Sequence, residues 1–423
     1  MNLRRKQQLW YIAADVVSSE LVWLCFLLFR WIVYEGRVEW VREALVPAFD
    51  FWPPLVVYPF VCLFIYYLSG YYLRPFQKPL WREFLRTFIS AIVIALLFFF
   101  IIIIDDEVET YNRYLVSLVV LFGLQFVLSY IPRLTITLLS RRRGISRAKT
   151  IHSMEEAEAL VAGEVDEVII DLPVGYTDRQ LYELIARLYP LSCEISMVPR
   201  VYDMLVGAAR IGQLDRPSLI RITESHMTDA ELCIKRAFDI AVSAVGLLVL
   251  CPFLAIIAIL VKLSSPGSVF YSQERIGKYG LPFRIYKFRT MISDAEEDGQ
   301  PQLTQEHDPR VTRIGRWLRK YRLDELPQLW NILCGEMSVV GPRPERAYFI
   351  EQIMSEAPYY CLLYKVRPGL TSWGPIRVGY TDTKDKMIER LNCDIVYIEN
   401  MSLLLDMKIM FFTVGVVIYG KGQ

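Results

Sequence analysis

Histidine is scarce in this chain of 423 residues: only His152, His226 and His307 occur. That leaves little material for an imidazole acid–base pair or a His-centred nucleophile triad. The eight cysteines, Cys25, Cys62, Cys193, Cys233, Cys251, Cys334, Cys361 and Cys393, are scattered without a CxxC pair. None clusters with histidine at metal-ligand spacing, so no zinc site is expected and the thiols should be reduced. A Gly-rich phosphate loop is absent too. Where an α/β unit begins, residues 147–160 read RAKTIHSMEEAEAL and not GxGxxG, which leaves no backbone able to approach a pyrophosphate. That unit is therefore expected to act as a spacer or oligomerisation element. The start, MNLRRKQQ, is basic but leads to no small-residue cleavage site, and reads as a retained anchor. Internal repeats and low-complexity tracts are lacking as well.

What is abundant is apolar surface. Hydrophobic residues make up 54% and aromatics 13%, more than an ordinary soluble enzyme carries. Four segments, 9–33, 54–73, 84–104 and 114–139, each supply about the 20 residues needed to cross a bilayer core. The net charge of +1 hides a segregation. Arg4, Arg5 and Lys6, then Arg74, Lys78, Arg82 and Arg86, then Arg141, Arg142, Arg143, Arg147 and Lys149 fall on alternate flanks. By the positive-inside rule those flanks are cytoplasmic. The opposite side carries Asp105, Asp106, Glu107 and Glu109.

Residues 146–230 alternate apolar runs at 168–172 and 194–198 with a helical pattern at 181–188, which predicts a small α/β unit. A fifth apolar helix follows at 240–261, interrupted by Cys251-Pro252. Its 22 residues span about 33 Å, enough to cross. Yet Lys235 and Arg236 flank one end and Lys262, Arg275 and Lys278 follow the other, which suits two cytoplasmic ends. Pro252 can bend such a helix into a re-entrant element over 236–262. The apolar end, 401–419, contains Asp406 and Lys408 and is expected to lie along the interface.

The chemistry concentrates after this fifth helix. In RVTRIGRWLRKYRLDELPQLWNIL (310–333), Val311, Ile314, Leu318 and Tyr321 mark an apolar helical face, while Arg310, Arg313, Arg316, Arg319 and Arg322 lie largely elsewhere. A cationic face of this kind suits phosphates. Asp324-Glu325 precedes Leu326-Pro327 and a second apolar pattern, so Asp324 is expected at or near a helix N-cap, where it stays ionised and a divalent ion can gather. Capping alone would account for the pair. Three more segments, YSQERIGKYGLPFRIYKFRTM (271–291), VVGPRPE (339–345) and KVRPG (365–369), supply Arg275, Lys287, Arg289, Arg343 and Arg367 beside Gly, Pro or aromatic residues. Jointly they point to phosphoryl transfer by positioning and electrostatics.

From Lys235 onward the chain resembles the bacterial sugar transferase family, the monotopic polyprenyl-phosphate phosphoglycosyl transferases. KRAFDI, the proline in the fifth helix, YKFRTM, LDELPQLWNIL, SVVGPRP and KVRPG carry the resemblance in order and spacing. The four N-terminal helices and the α/β unit are similar to the larger members, which start O-antigen, capsule or exopolysaccharide units. The resemblance implies that Asp324 is the nucleophile and Glu325 its partner, and that both serve a Mg²⁺ ion. Arg275, Lys287, Arg289, Arg319, Arg343 and Arg367 would bind substrate phosphates. It further implies a UDP-sugar donor, an undecaprenyl phosphate acceptor and UMP as product. Where many relatives read TGWAQV, this chain has TSWGPI at 371–376, which bears on sugar preference.

The expected architecture is a membrane protein in three parts: a four-helix transmembrane bundle (1–145), a truncated Rossmann-like α/β domain (146–230), and a mainly α catalytic domain (231–423) with a re-entrant helix and interfacial amphipathic helices. It would sit in the bacterial inner membrane with the catalytic part on the cytoplasmic face. A homodimer is compatible with it, and nucleic acid has no role. A non-catalytic scaffold for polysaccharide assembly is the alternative, and the intact dyad counts against it.

Overall fold

The computed structural model describes residues 3–30, 32–33, 52–73, 80–105, 111–142, 148–161, 165–173, 175–199, 219–223, 225–292, 308–379 and 383–418. Two compact units emerge, one of residues 1–146 with 228–234, the other of 147–227 with 235–423.

The first unit is built from α1 (Leu3–Arg30), α2 (Trp52–Leu68), α3 (Leu80–Asp105) and α4 (Tyr111–Arg142). Three of these contain stretches long and apolar enough to span a membrane, 7–30, 80–100 and 115–140, whereas the apolar helix at 56–68 is shorter. An apolar core that includes Val22, Phe26, Ile94, Phe98 and Leu121 joins them, and a polar network runs beside it. Gln125, Ser129, Arg133 and Thr137 recur every fourth residue on α4, one face of the helix, and all four are buried. Arg133 donates from Nε and Nη2 to the two oxygens of Asp15 on α1, at 2.7 and 2.8 Å. Its guanidinium lies 3.7 and 3.9 Å from the ring centres of Tyr66 and Tyr71, and Nη1 reaches Thr87 at 3.2 Å. Tyr72 donates to Asp15 at 2.6 Å, and Tyr71 and Thr137 both donate to Glu83. Tyr58 donates to Gln125, which donates to Tyr66. Lipid-facing positions, in contrast, are apolar: Trp10, Phe60, Ile89 and Val119 are exposed. Side chains with hydrogen-bonding groups turn inward because hydrocarbon offers them no partner.

In the second unit, β1 (Ala148–Ile151), β2 (Glu167–Ile170) and β3 (Glu194–Met197) pair in parallel, and β4 (Ile220–Arg221) runs antiparallel beside β3. α5 (Met154–Glu158) and α6 (Asp178–Leu188) make the crossovers. The Thr177–Gln180 capping box starts α6. The predicted strands and helix thus fall where the apolar runs placed them. Cys361 and Tyr364, from far along the chain, complete the core of this sheet with Ile151, Ile170 and Leu188. His226 Nε2 and Glu399 Oε2 lie at hydrogen-bond distance, 2.9 Å, across the same junction.

Next comes α7 (Asp229–Ser264), a single helix of 36 residues running through Pro252. By length and composition it too could span. The hairpin β5 (Phe270–Ile276) and β6 (Pro282–Phe288) follows, then α8 (Arg313–Lys320), a 3₁₀ turn at Leu323–Glu325 and α9 (Gln328–Cys334). β7 (Ser338–Val340) pairs in parallel with β8 (Gly369–Thr371); between them lie α10 (Ala347–Met354) and a 3₁₀ segment at Pro358–Lys365. α11 (Trp373–Val378), α12 (Lys384–Glu399) and α13 (Leu403–Ile418) close the unit.

Both arms of α7 pack on this one body. At one end Arg236 donates to the carbonyls of Ile332 and Leu333, and Asp239 accepts from Ser338 Oγ and the Val339 amide. At the other, Ile257 and Val261 pack on Phe288 and Leu318. In α13, Asp406 turns inward to Lys235 and Tyr397 and not toward solvent, while Leu404, Phe411 and Phe412 are exposed.

Arg133→Ala should strip Asp15 of its charge partner inside the bundle, and breaking a buried pair this way costs about 3–5 kcal/mol. Thermal unfolding in detergent should show a clearly lower midpoint, and a double change of Asp15→Leu with Arg133→Met should recover part of it. A midpoint equal to that of the parent protein would contradict this.

Candidate functional site

The geometry at Asp324-Glu325 starts with Arg322, whose backbone takes the left-handed conformation (φ 53°). That residue follows Tyr321, the C-cap of α8, and is the N-cap of the 3₁₀ turn carrying the dyad. Asp324, expected at or near a helix N-cap, is near one without being a cap itself: Arg322 caps the 3₁₀ turn and Pro327 caps α9. The chain needs the intervening turn to reverse between two short helices, and the dyad rides on that turn.

Glu325 is 6% exposed and held by three cations from three segments. Lys287 on β6 donates to Oε1 at 2.7 Å, Arg343 to the same oxygen at 3.3 Å, and Arg322 to Oε2 at 3.4 Å. Asp324, 8% exposed, accepts no hydrogen bond from any described residue. One carboxylate is thus saturated and its neighbour is left available.

Electrostatics separates the pair further. Burial raises the Asp324 carboxyl above its usual range, with Lys287 pulling down and Glu325 adding to the rise. Burial would also raise Glu325, but Lys287, Arg343 and Arg322 together hold it well below the usual glutamate range. Burial lowers Lys287 in spite of Glu325. Two adjacent carboxyls pushed in opposite directions can take different chemical roles.

Two close approaches build the cationic wall. Gly315 on α8 lies so near the Thr290 carbonyl that a Cβ would collide with it, so YKFRTM and the helix before the dyad touch through backbone. Gly341 and Gly369 meet in the same way, joining VVGPRP to KVRPG. In addition, Asn331 on α9 accepts from the Tyr286 amide and donates to the Arg284 carbonyl, fixing β6 against the helix that follows the dyad.

The predicted phosphate-binding residues divide between this centre and other duties. Lys287 and Arg343 contact the dyad. Arg319 acts on Asp324 through its charge and donates from Nε to Thr290 Oγ1 at 2.9 Å. Arg275 is engaged with Glu345 at 3.0 Å and with Gln273 at 2.7 Å. Arg367 donates to the Gly335 carbonyl, beyond the end of α9. Arg289 donates to the Ser265 carbonyl. Arg322 belongs to the site although only its place in the arginine-rich helical segment pointed to it. Glu345, Arg390 and Asp394 form a supporting layer: Glu345 binds Arg275 and Arg390, and Asp394 accepts from the Arg343 amide, the Gly374 amide and Ser372. Apart from Glu345's place in VVGPRPE, these residues carried no local signal, since their partners are dozens of residues away. Among the described residues no group of three or more His, Cys, Asp or Glu is placed to hold a metal.

A family model described as bacterial sugar transferase matches residues 230–420. UDP-N-acetylgalactosamine-undecaprenyl-phosphate N-acetylgalactosaminephosphotransferase of Aeromonas hydrophila is 36% identical over 263 residues, 62% of this chain and 61% of that protein. UDP-glucose:undecaprenyl-phosphate glucose-1-phosphate transferase of Escherichia coli (strain K12) is 36% identical over 273 residues, 64% of this chain and 58% of that one. Exopolysaccharide production protein PSS of Rhizobium leguminosarum bv. phaseoli is 43% identical over 192 residues, 44% of this chain and 94% of that protein. The chain thus spans roughly three-fifths of the first two relatives' length. Matches of 263 and 273 residues are too long for the C-terminal segment alone and reach back into the α/β segment.

A group whose folded pKa is depressed contributes stability that is present above its unfolded value and lost as pH falls through the folded one. Glu325 is such a group, so acid should weaken this unit as Glu325 takes up its proton. Glu325→Gln removes the shared partner of three partly exposed cations and should cost about 2–4 kcal/mol near pH 7, somewhat less than breaking a fully buried pair. Melting curves between pH 7 and pH 3 should show the variant less stable and less dependent on acid over the lower part of that range. Parallel pH profiles would contradict the assignment.

Proposed function

The chain belongs to the bacterial sugar transferase family, and from that premise we propose that it moves a sugar 1-phosphate from a UDP-sugar to undecaprenyl phosphate. The observation that carries this reading is an Asp324 carboxylate that accepts no hydrogen bond among the described residues, beside a Glu325 neutralised by Lys287, Arg322 and Arg343. An aspartate oxygen attacks the β-phosphorus of the donor, the bond to the bridging oxygen breaks, and UMP leaves. A sugar-phosphoryl aspartate remains. An oxygen of the lipid phosphate then attacks the same phosphorus and the Asp324 carboxylate departs. One phosphoanhydride is exchanged for another through an acyl phosphate, so no outside energy source is required.

Each residue has a part in this scheme. Because burial raises Asp324, its ionised form is less solvated and more reactive than a surface carboxylate. Arg319, Arg322 and Lys287 surround it with positive charge where the transferring phosphoryl group accumulates negative charge. Glu325 anchors Lys287 and Arg343 in position. A Mg²⁺ ion fits the site through Asp324 together with substrate phosphate oxygens, the usual ligand set for that ion, and would neutralise the diphosphate. Glu325 is already engaged by three cations and is the poorer ligand of the two.

The reaction requires the catalytic unit on the cytoplasmic face, where UDP-sugars are. Helix α7 is compatible with that if it enters and leaves the membrane on one side, bent at Pro252. Support comes from its two ends, Arg236 with Asp239 and Ile257 with Val261, which rest on the same body that carries the dyad. The first step of an exopolysaccharide, capsule or O-antigen unit is the corresponding cellular role.

Purified protein with undecaprenyl phosphate should release UMP from at least one donor in a panel containing UDP-glucose, UDP-galactose and their N-acetylated forms. Asp324→Asn should reduce turnover by at least about 10³-fold while the melting temperature stays high. Mass spectrometry should find a phosphosugar on wild-type Asp324. Robust turnover in Asp324→Asn would refute the nucleophile assignment.

Topology has its own test. Single cysteines at Ser268 and Glu351, in a cysteine-depleted background, should resist impermeant thiol reagents in intact cells and react after permeabilisation. Labelling of intact cells at either position would make α7 a full crossing.

A further inference from the structure

Arg289, beyond the end of β6, is 8% exposed yet incompletely bonded. Nη2 donates to the Ser265 carbonyl at 2.6 Å. Nε and Nη1 are buried and meet no acceptor among the described residues, and the same holds for Ser265 Oγ. Capping the end of α7 explains one of the three guanidinium nitrogens. It does not explain why the other two point into the interior without an acceptor, since an unsatisfied buried cation is unfavourable. Two unpaired N–H groups on a planar cation beside a free hydroxyl match the oxygens of a phosphate.

The position of this cluster narrows the choice of phosphate. The Arg289 amide bonds the Val269 carbonyl at 3.0 Å, so the β5–β6 ladder continues past Phe288. Strand alternation therefore sends Lys287 and Arg289 to the same face, about 7 Å apart. Lys287 holds Glu325, which puts Arg289 one strand repeat from the dyad. On its other side is Ser265, immediately after α7, whose last turns expose Ile256, Ile259 and Leu263, the last at 78%. A phosphate on a long apolar chain satisfies both neighbours at once. The nucleotide end of a water-soluble donor has no use for the apolar side. Lys262, which donates to the Gly267 carbonyl, offsets the negative end of the helix there.

We propose that Arg289 and Ser265 Oγ bind the phosphate of the polyprenyl acceptor and present it to the phosphosugar on Asp324. The assignment rests on the transfer reaction proposed above and adds to it which phosphate Arg289 takes.

Binding of undecaprenyl phosphate to the full chain in detergent, followed by native mass spectrometry, tests this directly. Phosphatidylglycerol and inorganic phosphate serve as competitors. Arg289→Gln should weaken undecaprenyl phosphate at least tenfold and Ser265→Ala about threefold, with UDP-sugar affinity within twofold of wild type and phosphatidylglycerol unaffected. Should Arg289→Gln misfold, Ser265→Ala carries the same expectation. Unchanged acceptor affinity in well-folded variants would overturn the site and leave the transfer reaction standing. An equal loss of phosphatidylglycerol would overturn it in favour of a generic lipid headgroup. Acceptor binding that depends on Arg289, in a protein that makes no lipid-linked sugar, would uphold the site and refute the transfer reaction instead.

Discussion

The buried Glu325 carboxylate organises the C-terminal unit. It draws Lys287 from the hairpin, Arg322 from the preceding turn and Arg343 from the loop after β7 to one point. These three partners keep Glu325 ionised against the cost of burial, and without it the three cations would repel one another. The close backbone contacts at Gly315 and Gly341 follow from the same demand, because bulkier residues would hold these segments apart. Among the described residues Asp324 accepts no hydrogen bond, while its neighbour takes those of Lys287, Arg322 and Arg343. The chemistry proposed for the site depends on that asymmetry.

A second buried ion pair governs the membrane helices by a different logic. Asp15 and Arg133 lie in segments whose average composition is that of lipid-facing helices, and the pair is enclosed by Tyr66, Tyr71, Tyr72 and Thr87. Apolar contacts alone discriminate poorly among helix arrangements in lipid, since helix and solvent are equally apolar. Directional bonds between α1, α3 and α4 select one arrangement. The hydroxyls of Tyr11 and Thr137 extend the selection to Glu83.

The α/β segment contributes more than a linker would. Cys361 and Tyr364 enter its core from the 3₁₀ segment at Pro358–Lys365, and other residues of that segment, Tyr360 and Leu363, line a recess with Arg343 and Pro368. The sheet and the wall of the site therefore share one short piece of backbone.

Several features were legible without coordinates. Long apolar runs located the helices of the first unit, because length and hydropathy are local properties. Alternating runs located β2, α6 and β3 for the same reason. Motif spacing marked Asp324, Glu325, Lys287 and Arg343. Local signals could not reveal that Arg275 and Arg367 are tied to Glu345 and Gly335, or that Arg322 turns back onto the dyad. An arginine beside a proline looks alike whether it faces a substrate or a carbonyl. The polar stripe on α4 was present at four-residue spacing, but its partner Asp15 lies more than a hundred residues away. Sequence by itself determined which residues carry charge, which stretches are long and apolar, and where the carboxylate pair stands. Only the tertiary structure decided which carboxylate is neutralised and which is free, because that depends on distances between segments the chain brings together by folding.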